Sequence, residues 1–227
     1  NLKTQFNFIF SSSATVYGQA KNLPITEEES IKQAESPYGN TKQISEEILH
    51  DYSKINSKIN VISLRYFNPI GAHNSVEIGE LPIGVPQNLL PFITQTAAGI
   101  HEKITVFGND YNTPDGTCIR DYIHVVDLAK AHIVAIENLI IKKSNSNYNI
   151  YNIGTGNGTS VLEMIQAFIK VTGLELNYII GPRRQGDVES AYADNSKAMK
   201  ELNWKAENSI EDSILSAWNW EKKIRSL

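Results

Sequence analysis

Short apolar runs alternate with helix-like segments along this chain of 227 residues, and the alternation restricts the fold more than any other feature of the sequence. The strand-like runs occupy 6–10, 60–66, 104–107, 149–153 and 176–180. Helix-like segments, recognised by apolar periodicity and capping residues, occupy 38–56, 87–100, 126–141, a stretch from 160, 196–202 and 210–224. Ser36-Pro37 would begin the first of these helices, and Ser160 with Glu163 three residues later predicts a capping box at the start of the fourth. Strands that alternate with helices usually form parallel sheets that helices cover. The sequence therefore predicts an α/β protein.

The composition argues against several classes of function. A net charge of −4 and the lack of any basic run argue against nucleic-acid binding, and no apolar run reaches the length of about 18 residues that a membrane span needs. The single cysteine, Cys118, cannot form an intramolecular disulfide or a multi-cysteine zinc site. His73 and His124 have no carboxylate cluster near them in the sequence. We expect a soluble, cytoplasmic protein that holds no metal ion.

A serine run and a Tyr–Lys pair indicate catalytic chemistry at one edge of the predicted sheet. The run from Ser11 to Ser13 follows the strand FNFIF, and SPYGNTKQISEEI places Tyr38 one helical turn before Lys42. Ligands bind at the carboxyl ends of strands in open α/β sheets. An ammonium beside a phenol favours the phenolate, which is the form that a tyrosine base needs. The alternative is a surface Tyr–Lys pair beside a serine turn.

Several motifs together resemble those of one family. SSSATVYG, SPYGNTK, LRYFNPIGAH, DGTCIRDYIHVVDLAKAH and PRRQGD occur in this order and are similar to the motifs of UDP-glucose 4-epimerases, also called UDP-galactose 4-epimerases. These enzymes are extended short-chain dehydrogenases/reductases. The resemblance covers essentially the whole chain. It implies a doubly wound, Rossmann-like parallel sheet with a smaller α/β substrate domain toward the C-terminus.

The resemblance also implies a domain division. Residues 1–67 would form the C-terminal part of the NAD-binding domain, 122–154 would return to it, and 68–227 would mainly form the UDP-sugar domain. The Gly-rich NAD loop of the family precedes the first of these motifs, so we expect that loop outside this sequence. The glycines of YNIGTGNGTSVLEM lack the G-x-G-x-x-G spacing of such a loop.

Each residue that matches a family motif receives a role from the resemblance. Tyr38 would take the proton from the sugar 4-hydroxyl while the 4-hydrogen leaves as hydride to NAD. Lys42 would bind the nicotinamide ribose, and Ser13 would hydrogen-bond the reacting oxygen. Tyr66 and Phe67 would contact the nicotinamide side. The substrate contacts that the resemblance implies are Asn68, Asn88, Leu89, Thr105, Val106, Phe107, Arg120, Arg184, Asp187 and Ala191.

The diphosphate would be bound by three kinds of group. Asn68 would contact it directly, and the helix start at Asn88 and Leu89 would offer backbone N–H groups, which favour phosphate. Arg120 and Arg184 would clamp it, since a guanidinium can meet two phosphate oxygens at once.

The nucleoside and the sugar would be recognised by the remaining residues. The segment 105–107 would flank the uracil, and Asp187 would accept hydrogen bonds from the ribose. Ala191 falls at a position where some family members have a bulky tyrosine and others a small residue. A small side chain leaves room beside the sugar 2-position, so the sequence predicts that N-acetylated UDP-hexoses are accepted as well.

The positions after Ser13 distinguish related reactions. Related dehydratases have an acidic pair there and decarboxylating relatives have a glutamate, whereas this chain has Ala14 and Thr15. Without acid groups there, elimination is poorly served and reversible oxidation–reduction remains. The resemblance then implies NAD-dependent interconversion of UDP-galactose and UDP-glucose by transient oxidation at C4. Two alternatives stay open: a UDP-pentose or UDP-uronate 4-epimerase, and a truncated, non-catalytic partner subunit. The family dimerises through the Tyr–Lys helix, so we expect a homodimer; Ile44 and Ile48 would suit that interface or an internal core.

Overall fold

The computed structural model describes residues 5–141 and 146–226. In chain order, the elements are β1 (Phe6–Ser13), a 3₁₀ helix (Ala14–Tyr17), α1 (Pro37–Ile55), β2 (Ile59–Tyr66), β3 (Asn68–Ile70), α2 (Leu89–Ala97), β4 (Ile104–Phe107), β5 (Ile119–Arg120), β6 (Tyr122–His124), α3 (Val125–Ile140), β7 (Tyr148–Ile153), β8 (Thr159–Ser160), α4 (Val161–Thr172), β9 (Tyr178–Gly181), β10 (Ser190–Ala191), a π-helix (Ala198–Leu202) and α5 (Ile210–Arg225). Strands alternate with helices and most strand pairs are parallel, so the predicted α/β class is confirmed.

The chain forms two compact units, and neither is continuous in sequence. Unit 1 comprises Asn1–Phe67, Leu128–Asn157 and Ala191–Ala206. Unit 2 comprises Asn68–Asp127, Gly158–Ser190 and Glu207–Leu227. The segment from Ala191 to Ala206, which the sequence analysis groups with the substrate domain, thus packs in unit 1. The assignment of either unit to cofactor or substrate stays a prediction.

Unit 1 contains a parallel sheet in the order β1–β2–β7. The central strand β2 buries Val61, Ile62 and Leu64, as expected for a parallel strand that is covered on both faces. The strand predicted at 6–10 continues through Ser13, because Ser13 still pairs in register with Tyr66. The serine run is therefore the end of the strand itself, at the carboxyl edge of the sheet.

The helix α1 begins where the sequence predicts. Ser36 is its N-cap and accepts a hydrogen bond from the Gly39 N–H at 3.1 Å, while Pro37 occupies the first helical position. Ile44 and Ile48 of this helix are exposed in unit 1, so the internal-core interpretation of these two residues is wrong.

Unit 2 is held by an apolar core between short parallel strand pairs and the helices α2, α4 and α5. The pairs are β3–β6 and β4–β9, and the core includes Leu90, Ile165, Phe168 and Ile214. The predicted capping box at the start of α4 is confirmed, since the Ser160 hydroxyl and the residue three positions later satisfy each other's backbone N–H groups. Within 5–141 and 146–226, no helix combines the length and the apolar character that crossing a bilayer requires.

Candidate active site and ligand cavity

Tyr38 and Lys42 meet at the first turn of α1 in unit 1. Tyr38 is 51% exposed. The Lys42 Nζ lies 5.4 Å from the centroid of the Tyr38 ring and donates a hydrogen bond to the Ser11 main-chain oxygen at 2.8 Å. The carbonyl therefore holds a positive charge beside the phenol. A cation at this position suits proton transfer by the phenol.

Ser13 ends β1 and caps the 3₁₀ helix that follows. Its hydroxyl oxygen accepts hydrogen bonds from the Thr15 N–H at 3.2 Å and from the Thr15 hydroxyl at 3.0 Å. A serine hydroxyl has two acceptor lone pairs and one donor hydrogen. Because Thr15 occupies both lone pairs, Ser13 keeps its hydrogen to donate to another oxygen.

Tyr66 and Phe67, the predicted nicotinamide contacts, differ in their surroundings. Tyr66 is half-buried at the end of β2, and its pKa is raised, first by burial and then by the nearby Tyr38 phenol, while a hydrogen bond with Ser11 acts in the opposite direction. Phe67 is buried and packs against a cluster that includes Val16. Tyr66 is thus the more accessible of the two at the sheet edge.

His132 is a residue of this edge that the sequence analysis does not single out. Its Nδ1 lies 2.9 Å from the Leu128 main-chain oxygen, which can only accept, so Nδ1 carries the proton. Its Nε2 then accepts from the Ser11 hydroxyl at 3.0 Å in the neutral form, and its ring centroid lies 6.4 Å from that of Tyr66. A lone histidine inside a helical segment gives no indication of such a partner, because Ser11 is 121 residues away in sequence.

Unit 2 contains a cavity of about 460 Å³, within the usual range for small-molecule sites. Its lining includes eight of the ten predicted substrate contacts: Asn68, Asn88, Leu89, Thr105, Phe107, Arg120, Arg184 and Asp187. These residues come from separate parts of the sequence, and the fold of unit 2 brings them to one cavity.

The N-terminus of α2 lies at this cavity. Asn88 is the N-cap, but its side chain makes no capping hydrogen bond and instead donates to the Glu80 carboxylate at 2.9 Å. The first N–H groups of a helix have no intrahelical partners, and they favour an anion. This end of the cavity therefore suits a phosphate.

Two arginines give the cavity positive charge. The Arg184 Nη2 lies 2.7 Å from the Asp187 Oδ1, and its guanidinium carbon lies 5.5 Å from the centroid of the Phe107 ring. The hydrogen bond with Asp187 raises the pKa of Arg184. Arg120 donates to the Ile119 main-chain oxygen at 2.8 Å. Arg184 and Asp187, which the sequence analysis gives separate roles, are thus joined as an ion pair in this structure.

Two predicted substrate contacts lie outside the lining. Val106 is buried in the apolar core of unit 2, because alternate residues of a strand face opposite sides and its neighbours Thr105 and Phe107 face the cavity. Ala191 packs in unit 1 beside the cluster that contains Phe67 and Ala193. A substrate contact from Val106 or Ala191 stays a prediction. No group of three or more His, Cys, Asp or Glu residues suited to a metal ion occurs among the described residues.

Comparison with known proteins identifies the family. The sequence model described as GDP-mannose 4,6 dehydratase matches residues 1–216. The chain belongs to the GDP-mannose 4,6-dehydratase family. Among its relatives, UDP-glucose 4-epimerase 2 of Arabidopsis thaliana is 53% identical over 214 residues, which cover 94% of this chain and 60% of that protein. The predicted resemblance to UDP-glucose 4-epimerases is confirmed.

Solved structures of this family agree with the fold. The UDP-glucose 4-epimerase from Stenotrophomonas maltophila, with bound NAD and formylated UDP-arabinopyranose, matches with a TM-score of 0.93 at 45% identity and covers 98% of this chain and 65% of that chain. The enzyme from Bifidobacterium longum, in complex with NAD+ and UDP, matches with a TM-score of 0.90 at 49% identity, over 96% of this chain and 64% of that chain. The Rossmann-like fold class is confirmed, and this chain spans less than two thirds of the length of each of these relatives.

Proposed function

We propose that this chain carries the proton-transfer residues and the nucleotide cavity of an NAD-dependent enzyme that interconverts UDP-galactose and UDP-glucose. The observation that carries the proposal is the Lys42 ammonium beside the exposed Tyr38 phenol, with Ser13 at the end of the adjoining strand as a free donor. Epimerase relatives at about half identity support it.

NAD is the proposed cofactor, and unit 1 fits its nicotinamide half. Tyr38, Lys42 and Tyr66 lie at the carboxyl edge of a parallel sheet, where such folds bind ligands. Lys42 would hold the nicotinamide ribose, and Tyr66 and Phe67 would contact the ring side. When bound, NAD supplies reversible hydride transfer at the sugar C4. Both crystallised relatives contain NAD.

The residues of unit 1 move the proton. Tyr38, as phenolate, removes the proton from the sugar 4-hydroxyl and later returns it to the same oxygen. The Lys42 ammonium stabilises the negative phenolate, and the Ser13 hydroxyl donates its remaining hydrogen bond to the 4-oxygen.

Epimerisation is favoured over dehydration by the residues after Ser13. Elimination of a hydroxyl needs an acid beside the sugar, but Ala14 has no functional group and the Thr15 hydroxyl is bound to Ser13. The family is named after a dehydratase, yet its Arabidopsis and crystallised relatives are epimerases. Reversible oxidation at C4 needs no such acid.

The UDP group is proposed to bind in the cavity of unit 2. The α2 N-terminus, Arg120 and Arg184 would meet the diphosphate together with Asn68. Thr105 and Phe107 would flank the uracil. Asp187 already accepts from Arg184 at both carboxylate oxygens, and the remaining lone pairs of these oxygens would accept from the ribose.

A UDP-pentose is the second candidate substrate. The relative from Stenotrophomonas maltophila, which is named a UDP-glucose 4-epimerase, holds a formylated UDP-arabinopyranose. A UDP-uronate is a weaker candidate, because its carboxylate would need a third cation. Arg120 and Arg184 are already assigned to the diphosphate. Acceptance of UDP-N-acetylhexoses would follow from the small side chain of Ala191.

The proposal is tested on the complete gene product. NAD content and the rate of UDP-galactose conversion are measured, and UDP-pentose, UDP-glucuronate and UDP-N-acetylglucosamine are compared under the same conditions. Tyr38→Phe should lower kcat by about 10²- to 10⁴-fold. Tyr178→Phe, at an exposed tyrosine of unit 2 outside the cavity lining, is the matched control. A protein that binds NAD and UDP but converts none of these sugars would instead be the non-catalytic partner subunit.

A homodimer is proposed for the intact protein. Ile44, Ile48, Tyr52 and Ile55 form an exposed apolar stripe along α1, and large apolar stripes are typical of interfaces. Ile48→Glu should shift the complete protein to a monomer in analytical ultracentrifugation. Leu215→Glu, an exposed apolar position on α5, is the control and should leave the dimer intact. A monomeric wild type would contradict the proposal.

A cytoplasmic location is proposed as well. Cys118 is a buried free thiol, which a reducing compartment preserves. Cell fractionation with an antibody against the chain would test this location.

A further inference from the structure

We propose that Glu46 is a positioning residue that fixes the Tyr38–Lys42 pair by binding Arg65 and Ser12 inside unit 1. The inference rests on the proposed function, in which Tyr38 and Lys42 transfer the proton. It concerns how the fold sets the orientation of that pair, and Glu46 itself touches no reacting atom.

Glu46 continues the face of α1 that carries the catalytic pair. It follows Lys42 by four residues and Tyr38 by eight, so the three side chains project from one side of the helix. Glu46 is 3% exposed and its partner Arg65 is 2% exposed. The buried Glu46 carboxylate therefore binds α1 to the sheet of unit 1 through Arg65.

The Glu46 carboxylate is bound at both oxygens. Its Oε1 accepts from the Ser12 hydroxyl at 2.5 Å and from the Arg65 Nε at 2.9 Å, and its Oε2 accepts from the Arg65 Nη2 at 2.5 Å. A bidentate guanidinium–carboxylate pair restricts both the distance and the angle between its partners. The contact therefore fixes the rotation of α1 about its axis as well as its height above the sheet.

The two partners of Glu46 adjoin the site residues on their strands. Ser12 and Arg65 are register partners on β1 and β2. Ser13 is the next residue after Ser12, and Tyr66 is the next residue after Arg65. The buried Glu46 carboxylate therefore fixes the position of α1, which carries Tyr38, relative to the ends of β1 and β2.

Arg65 is itself held on its other side. Its guanidinium carbon lies 4.8 Å from the centroid of the Tyr17 ring, and the Tyr17 hydroxyl donates to the Asn152 Oδ1 at 2.6 Å. Burial raises the pKa of Tyr17 to about 12, so its hydroxyl stays a neutral donor. Because Asn152 belongs to β7, the chain of contacts from Glu46 through Arg65 and Tyr17 reaches all three strands of the sheet.

Stability alone does not account for this network. A buried ion pair can often be replaced by apolar side chains of similar volume with little loss of stability, because desolvation offsets much of its attraction. Apolar contacts are not directional, whereas the bidentate pair is. A paired apolar replacement therefore separates a positioning role from a purely structural one.

The test is the double variant Glu46→Leu with Arg65→Met in the complete gene product. We expect it to fold, with kcat lowered by about 10- to 100-fold, since a small misplacement of a catalytic group has an effect of this size. The KM for UDP-galactose should stay within about twofold, because the cavity of unit 2 is unchanged. The Tyr38 ring Cζ signal in ¹³C-tyrosine NMR, assigned with Tyr38→Phe, should shift without any cofactor added.

Two further variants complete the test. Arg65→Lys keeps the buried charge but loses the bidentate fork, and it should also lower kcat and shift the Tyr38 signal. Glu221→Gln alters an equally buried carboxylate of unit 2, bound to Arg225 at 2.9 Å, and should change thermal stability without moving the Tyr38 signal.

The outcomes separate this inference from the proposed function. A folded double variant with wild-type kcat and an unmoved Tyr38 signal overturns the positioning role. If the double variant does not fold, a folded Arg65→Lys protein with wild-type kcat and signal overturns it equally. If the wild type converts no UDP-sugar, the proposed function fails, and the Tyr38 signal still decides whether Glu46 positions the tyrosine.

Discussion

The ammonium nitrogen of Lys42 lies 5.4 Å from the centre of the Tyr38 ring and is held there by the main-chain oxygen of Ser11. The helix brings the two side chains to one face, but helical spacing alone leaves a long lysine side chain free to turn toward solvent. The carbonyl at the strand end selects the conformation in which the positive charge faces the phenol.

Removal of the Lys42 charge should slow the proton transfer. We expect Lys42→Met in the complete gene product to lower kcat by about 10²- to 10³-fold, because the phenolate loses its stabilising charge. Steady-state conversion of UDP-galactose measures the effect. Lys54→Met changes a lysine in the last turn of the same helix, paired with Asp51 at the surface, and should leave kcat unchanged. Equal rates for the two variants would contradict the role of Lys42.

Replacement of the Arg184 fork should weaken UDP binding. Arg184→Lys keeps one positive charge at the cavity but cannot form two parallel hydrogen bonds, so we expect the Kd for UDP to rise about tenfold. Isothermal titration calorimetry measures it. Arg183→Lys is the control, since Arg183 binds Asp110 and stacks on Tyr111. An unchanged Kd for Arg184→Lys would remove this residue from the diphosphate contacts.

The start of α4 should be sensitive to the loss of one hydroxyl. Ser160 accepts from the Glu163 N–H at 3.0 Å and also donates to Asp115. Ser160→Ala should lower the free energy of unfolding by about 1 to 2 kcal/mol, because the cap is lost and the carboxylate loses a donor. Urea denaturation measures the change. Ser45→Ala, at a half-buried position on α1 that caps no helix, should change it by less than about 0.5 kcal/mol.

Acidification should weaken the N-terminus of α5. Hydrogen bonds from the Ser209 hydroxyl and the Ser209 N–H lower the pKa of Asp212 below its ordinary value of 3.8. A carboxyl group whose pKa is lower in the folded state stabilises the fold fully at pH values above its unfolded-state pKa. This stabilisation is lost as the pH falls through the folded-state pKa. The free energy of unfolding should therefore decrease below about pH 4, and by less in Asp212→Asn. Identical pH profiles for the two proteins would contradict this.

The features that the sequence predicts well depend on residues close together in the chain. The Ser36–Pro37 helix start, the Ser160 capping box and the placement of Tyr38 over Lys42 each join residues no more than four positions apart. Their geometry follows from helical spacing and from the hydrogen-bonding groups of the side chains themselves. The apolar run of β2 likewise predicts a buried strand, because both faces of a parallel strand are covered.

Prediction from the sequence is wrong or incomplete where contacts between distant segments determine which side chains are buried. Exposure of Ile44 and Ile48 could not be read from their periodicity, which an interface and a core share. Whether Val106 or its neighbours face the cavity depends on which side of β4 the core covers. A pattern of residue types does not contain that information.

The sequence by itself thus determined the α/β class, the helix that presents Tyr38 and Lys42, and the set of polar residues from which the cavity is drawn. Only the tertiary structure decided that Ser11 binds both Lys42 and His132, and that Glu46 binds Ser12 and Arg65 in the interior. The reason is physical: local hydrogen bonds follow from the spacing of neighbouring residues, whereas contacts between distant segments depend on strand order and register, which the whole core selects together.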